Sequence, residues 1–163
     1  MKTVILVRHA KSGWENAKSD FSRPLNARGI ENAPEMAGRL AGQQIKVDCI
    51  ISSPARRAEH TAQLFAEGLG IPPEKIIYLP ELYNAFDETF LDTISKAPAD
   101  ADCILIVSHN PGLLLFVNTL TTVRVDNMPT SAVFGVRAPI QDWADFRSGK
   151  KEFLFFDFPK SQN

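Results

Sequence analysis

"TVILVRHA", Thr3–Ala10, is the stretch whose reading decides the fold. Apolar residues fill Val4 to Val7 without a break, and the run stops at Arg8 and His9. An apolar run with no alternation marks a strand covered on both faces, as strands of parallel sheets are. Its polar end has two readings. Either the chain has simply reached the surface there, or the strand delivers an imidazole and a guanidinium to the rim of a pocket.

Further along, the pattern repeats. Val47–Ser52, Ile76–Leu79 and Cys103–Val107 read as strands, with Ala132–Val136 and Phe153–Phe158 closing the sheet, the last at an edge. Between them lie amphipathic stretches of helical period. Asn26–Gln44 places Ile30, Ala33, Ala37, Leu40 and Ala41 on one side, with Pro34 as a possible kink. In Pro54–Leu69, Ser53 suits the N-cap, Pro54 the first helical position and Gly70 the end. Phe86–Lys96 turns Phe90, Leu91 and Ile94 inward, and Pro111–Leu120 opens a fourth helix. Such alternation predicts a three-layer α/β/α sandwich with a mostly parallel central sheet. The 163 residues suit one domain spanning 1–163, with no repeat or linker.

Composition narrows the function. A net charge of -1 without a charged tail argues against a nucleic-acid binder. No apolar run reaches the length of a membrane span, and the N-terminal run is too short for a signal peptide, so no membrane partner is expected. Cys49 and Cys103 both lie in apolar runs and read as buried free thiols. That suits a reducing compartment and a soluble cytoplasmic protein. Trp14 and Trp143 are expected to pack without a chemical role.

In open parallel sheets, ligands bind beyond the carboxyl ends of the strands. The first strand ends at Arg8-His9. The second ends in "SSPARRAEHTA" (52–62), which puts Arg56 and Arg57 in the first turn of a helix, where cations oppose the helix dipole. Cys103–Val107 ends in "SHNPG", with His109 before the next helix. Each feature alone has a bland reading: a solvated strand end, an exposed helix turn, a structural histidine. Together they gather imidazoles, guanidiniums and helix N-termini at one sheet edge, which is the chemistry of a phosphate site. His60 lies mid-helix and reads as a partly exposed residue. "DFSRPL" (Asp20–Leu25) is either a pocket wall or a surface loop.

"VRHAKS", "RPLNARG", "SSPARRAEHTA", "LPEL" and "VSHNP" follow in that order. This set resembles the histidine phosphatase superfamily (branch 1), in its SixA-type phosphohistidine phosphatases, from residue 3 to about residue 135. The resemblance implies a phosphoglycerate mutase-like fold and a covalent phosphohistidine intermediate. It implies that His9 is the nucleophile and that Arg8, Arg57 and His109 bind the phosphoryl group. Glu81, in "YLPELYN", falls where many members hold a proton donor. Ala10 replaces the glycine of the usual Arg-His-Gly, which bears on pocket shape and on any need for a positive φ.

The expected activity is that of a metal-independent phosphatase, with no cofactor, acting on a phosphorylated protein or a small phosphorylated substrate. The short connection between Leu79 and Cys103 leaves little chain for a lid, which favours a protein-borne phosphohistidine. A non-catalytic phosphoprotein-binding module and a phosphomutase are the alternatives. A cysteine phosphatase would need Cys-x5-Arg, but the sixth residue after Cys49 is Ala55 and after Cys103 is His109. A P-loop is absent. Oligomeric state stays open, with a monomer expected.

Overall fold

The computed structural model describes residues 1–160. Six strands form one sheet: β1 (Lys2–Arg8), β2 (Cys49–Ser52), β3 (Ile76–Tyr78), β4 (Cys103–Ser108), β5 (Val133–Ala138) and β6 (Glu152–Asp157). Their order is β3-β2-β4-β1-β5-β6. The pairs β3–β2, β2–β4 and β4–β1 are parallel, whereas β5 is antiparallel to both β1 and β6. β6 is an edge strand.

The helices α1 (Ala27–Gly42), α2 (Arg56–Leu69), α3 (Asp87–Ser95) and α4 (Gly112–Leu120) cover both faces. Alternation along β1 divides the core. Ile5 and Val7 pack with Ala33, Met36 and Leu40 of α1 and Phe65 of α2. Val4 and Leu6 face the opposite layer, with Phe90 and Ile94 of α3 and Phe116 of α4. The Phe90 and Phe116 rings stack with centroids 4.9 Å apart. The unbroken apolar strand thus fills two cores, and the result is the expected three-layer sandwich.

Several local expectations shift. α1 runs through Pro34 and buries Gly29, Ala33, Met36, Ala37 and Leu40. Ile30 and Ala41 turn to solvent instead, because the stripe follows the 29–33–36–40 spacing. Asn26 caps α1, its side chain accepting from the Gly29 N–H at 2.9 Å. α2 starts two residues later than Pro54 and has no side-chain cap. Phe21 supplies a substitute, its carbonyl accepting from Arg56 N–H at 3.0 Å. Trp143 is buried, but Trp14 is 60% exposed with the Arg23 guanidinium 4.6 Å above its ring, where cation–π contact replaces core packing. Cys49 and Cys103 are buried and unpaired. Burial pushes their thiols up, to about 11 and about 12. Among the described residues, no helix is long and apolar enough to cross a membrane.

Candidate active site

Parallel pairing brings the carboxyl ends of β1, β2 and β4 to one edge. The register sets Arg8 opposite Ser108 and Ser52 opposite Val107, so the residues that follow emerge side by side. His9 N–H donates to Ser108 O at 3.1 Å, continuing the ladder one residue past the strand. The His9 and His109 rings lie 5.1 Å apart between centroids. Each is 7% exposed.

The His9 ring is oriented by its own backbone. Nδ1 donates to the Ala10 carbonyl at 2.8 Å, which leaves the Nε2 lone pair free. Burial is the main reason its pKa falls, to about 3, with smaller contributions from His109, Arg57 and Arg8. His109 is lowered to about 4, again chiefly by burial and then by Arg57. Both rings are neutral at pH 7. Ala10 is fully buried, and its φ is not among the positive values of the chain, so the methyl group fits without strain. Its N–H donates to Thr61 Oγ1 at 2.9 Å, and Thr61 in turn donates to the Arg57 carbonyl at 2.7 Å. That chain of bonds ties β1 to α2.

The guanidinium groups are held from behind. Arg8 Nη1 donates to Met128 O at 3.1 Å. Arg57, 6% exposed, donates from Nη1 to Asp20 O at 2.7 Å and from Nη2 to Asp20 Oδ2 at 3.1 Å. Asp20 thereby offsets a cation placed against the dipole of α2. Its carboxylate also accepts from Tyr83 Oη and from Arg23 at 3.2 Å. These donors, Tyr83 first, hold the Asp20 carboxyl down at about 2. Ser53 hydrogen-bonds His109 Nε2 at 2.8 Å while accepting from Ala55 N–H at 3.2 Å. With Ser53 as donor, His109 carries its proton on Nδ1.

What these bonds leave over is informative. Arg8 Nε, Arg57 Nε and His109 Nδ1 are buried and have no hydrogen-bond partner in the protein. A buried donor without a partner costs about 1–3 kcal/mol. Three such donors, on residues that neighbour His9, suit a compact anion by their chemistry. Charge agrees: burial and the neighbouring Arg57 both lower the pKa of Arg8, a repulsion that an anion would relieve.

Of the residues singled out from sequence, Arg8, His9, Arg57 and His109 come together. Arg56 is exposed, and so is Glu81. Glu81 lines a groove with Glu88, Asp92 and Arg147. It sits in the 3-10 turn Pro80–Leu82, which buries Leu82 and sends the residues on either side of it in different directions. Tyr83 reaches the site, its ring set edge-on to that of His109 with centroids 5.4 Å apart. Asp20, Tyr83 and Ser53 were missed. Of Asp20–Leu25, Asp20 holds Arg57 and Tyr83, and the Phe21 ring meets that of Tyr83 edge-on.

A comparison with known families agrees with this geometry. Residues 4–89, more than half of the chain, match the family model of the histidine phosphatase superfamily (branch 1). The chain belongs to that superfamily. This histidine phosphatase chain is 30% identical over 110 residues to phosphohistidine phosphatase SixA of Escherichia coli (strain K12), covering 66% of this chain and 67% of that one. An uncharacterised protein of Mycobacterium tuberculosis (strain H37Rv) is 29% identical over 164 residues, covering 94% of this chain and all of its own. Among solved structures, the protein histidine phosphatase SixA complexed with tungstate superposes with a TM-score of 0.80 at 26% identity, covering 96% of each chain. A mycobacterial glucosyl-3-phosphoglycerate phosphatase, at 15% identity and a TM-score of 0.65, shares the fold.

Proposed function

We propose that this histidine phosphatase hydrolyses phosphohistidine on a protein through a phosphoryl-His9 intermediate. The observation that supports the reading is the unbonded Nε2 of His9 on a ring 5.1 Å from that of His109, with partnerless buried donors on Arg8, Arg57 and His109. Nε2 attacks phosphorus while the bond from phosphorus to the leaving atom breaks, placing the phosphoryl group on His9. Arg8, Arg57 and His109 hold the equatorial oxygens, where charge is spread in the transition state. Water then attacks the phosphoryl-His9, releases inorganic phosphate and returns Nε2 to its free state. No metal or other cofactor enters the scheme, because the guanidiniums supply the charge.

Leaving-group chemistry selects the substrate. An alkoxide needs a proton as it departs, and an imidazole needs far less help. Glu81 is exposed and lines a groove with Glu88, Asp92 and Arg147, and Asp20, held at about 2, carries no proton at neutral pH. A site without a poised carboxylic acid favours the P–N bond of phosphohistidine over alkyl phosphates. SixA of Escherichia coli, a phosphohistidine phosphatase by name, supports the same choice.

The test is to trap the intermediate. After incubation with p-nitrophenyl phosphate, alkaline denaturation and mass spectrometry should show one added phosphoryl group on His9. In His9→Ala both the label and the turnover should vanish, a loss of at least ~10³-fold. Label on another residue, or unchanged turnover in His9→Ala, would refute the scheme. Absence of turnover in wild type with any phosphohistidine peptide or aryl phosphate would instead favour a binding module.

A further inference from the structure

A cleft adjoins the pocket where β1 ends. Lys11, Arg28 and Lys160 line it together with Pro129, Phe158 and Pro159, and no carboxylate does so among the described residues. Its lining comes close to the reaction site along the chain. Lys11 follows His9 by two residues, so their Cα atoms lie within about 7 Å. On the opposite wall, Ser131 N–H, just after the 129–130 segment, donates to the Arg8 and His9 carbonyls at 3.1 and 3.2 Å.

The charge in the cleft has no counterion in its lining, whereas several arginines elsewhere are paired. Arg23, Arg39, Arg57, Arg137 and Arg147 each pair with a carboxylate. Among the described residues Lys11 and Arg28 form no ion pair. Arg28 also lies in the first turn of α1, which contains no acidic residue. A cation there adds to the positive end of the helix dipole, so the two charges oppose one another until an anion arrives. The walls decide which anion. Phe158 is 42% exposed, prolines flank it, and the Lys11 and Arg28 side chains are solvated. A rigid site for one small phosphate would bury its donors. Mobile cations beside an exposed aromatic suit carboxylates spread along a polypeptide with an apolar side chain among them.

We propose that this cleft docks an acidic segment of the phosphorylated protein, with carboxylates on Lys11 and Arg28 and an apolar side chain on Phe158, while the phosphorylated residue enters the His9 pocket. The inference rests on the phosphatase reading for its substrate but not for its binding surface. Two arms separate them. In the first, fluorescence anisotropy on His9→Ala protein compares an unphosphorylated acidic peptide with a neutral peptide of equal length. The acidic peptide should bind about fivefold or more tightly at low salt, and Lys11→Ala/Arg28→Ala should erase the difference. In the second, kcat/KM for a phosphohistidine peptide with acidic flanks should exceed that for neutral flanks by a similar factor. The double variant should remove that excess and leave p-nitrophenyl phosphate turnover unchanged. Equal affinities in the first arm, or a preference that survives the double variant, would overturn the proposal. So would a small bisphosphate ester whose advantage over a monophosphate is lost in the double variant when peptide preference is not. Loss of phosphopeptide turnover with the anisotropy preference intact would count against the phosphatase reading alone.

Discussion

At the scale of single residues, the site is built from side chains that each leave one polar atom free. His9 gives Nδ1 to its own backbone and keeps Nε2. Arg57 gives two terminal nitrogens to Asp20 and keeps Nε. Asp20 is therefore a positioning residue, acting on substrate through Arg57 and Tyr83. Asp20→Ala should lower kcat/KM for p-nitrophenyl phosphate by ~10–100-fold, because Arg57 would lose the partner that aims it. Asp20→Asn, which keeps an acceptor without the charge, should fall between the two. The contrast separates positioning from bulk charge: if removing the carboxylate mainly relieved repulsion of the substrate, both variants would gain activity. Lysine in place of Arg57 is a poor substitute, since its three N–H groups radiate from one nitrogen and cannot reproduce the planar spread of Nη1, Nη2 and Nε.

Elements place those residues by meeting closely. α4 begins at Gly112, three residues after His109, and its start is pressed against the carbonyl of Ala85. A Cβ at Gly112 would collide with that backbone, which cannot yield as a side-chain tip could. Gly112→Ala should thus cost about 1–3 kcal/mol in urea unfolding and lower kcat/KM, because relief requires the His109–α4 junction to move. Unchanged stability would show that the junction has slack. The β1–α1 connection meets α2 in a similar way. Asp20 and Phe21 bond both the first helical N–H of α2 and the guanidinium that follows it. One loop therefore caps a helix and orients a ligand-binding arginine at once.

The whole molecule responds to pH through its buried rings. Above pH ~6.5 both histidines are neutral in the folded and the unfolded chain, so they add no pH dependence. As pH falls below that value the unfolded chain takes up protons, whereas the folded chain resists until about 4 at His109 and about 3 at His9. Stability is then lost with falling pH, by up to ~1.4 kcal/mol per unit for each ring. Urea titrations at pH 7.5 and 5.5 should differ by about 2–3 kcal/mol, and His109→Ala should remove about half of the difference. A pH-independent midpoint over that range would show that the rings are less buried than their surroundings indicate.

Much of this was legible in the chain. Unbroken apolar strands alternating with amphipathic helices follow from local periodicity, and a two-sided sheet is the only way to bury them. The positions of Arg8, His9, Arg57 and His109 follow too, because each lies at or shortly after a strand end, and parallel strands end together. Helix faces were blurred by one position, as at Ile30, since small shifts in start point rotate a stripe. Only the tertiary structure decided the rest. Asp20 meets Arg57 across 37 residues and Tyr83 across 63, and Ser53 meets His109 across 56. Such bonds leave no local pattern, because neither partner needs its neighbours in sequence to make them. The approach of Tyr83 to His109 is of the same kind: which way residues beside a short 3-10 segment turn depends on where Leu82 finds the core.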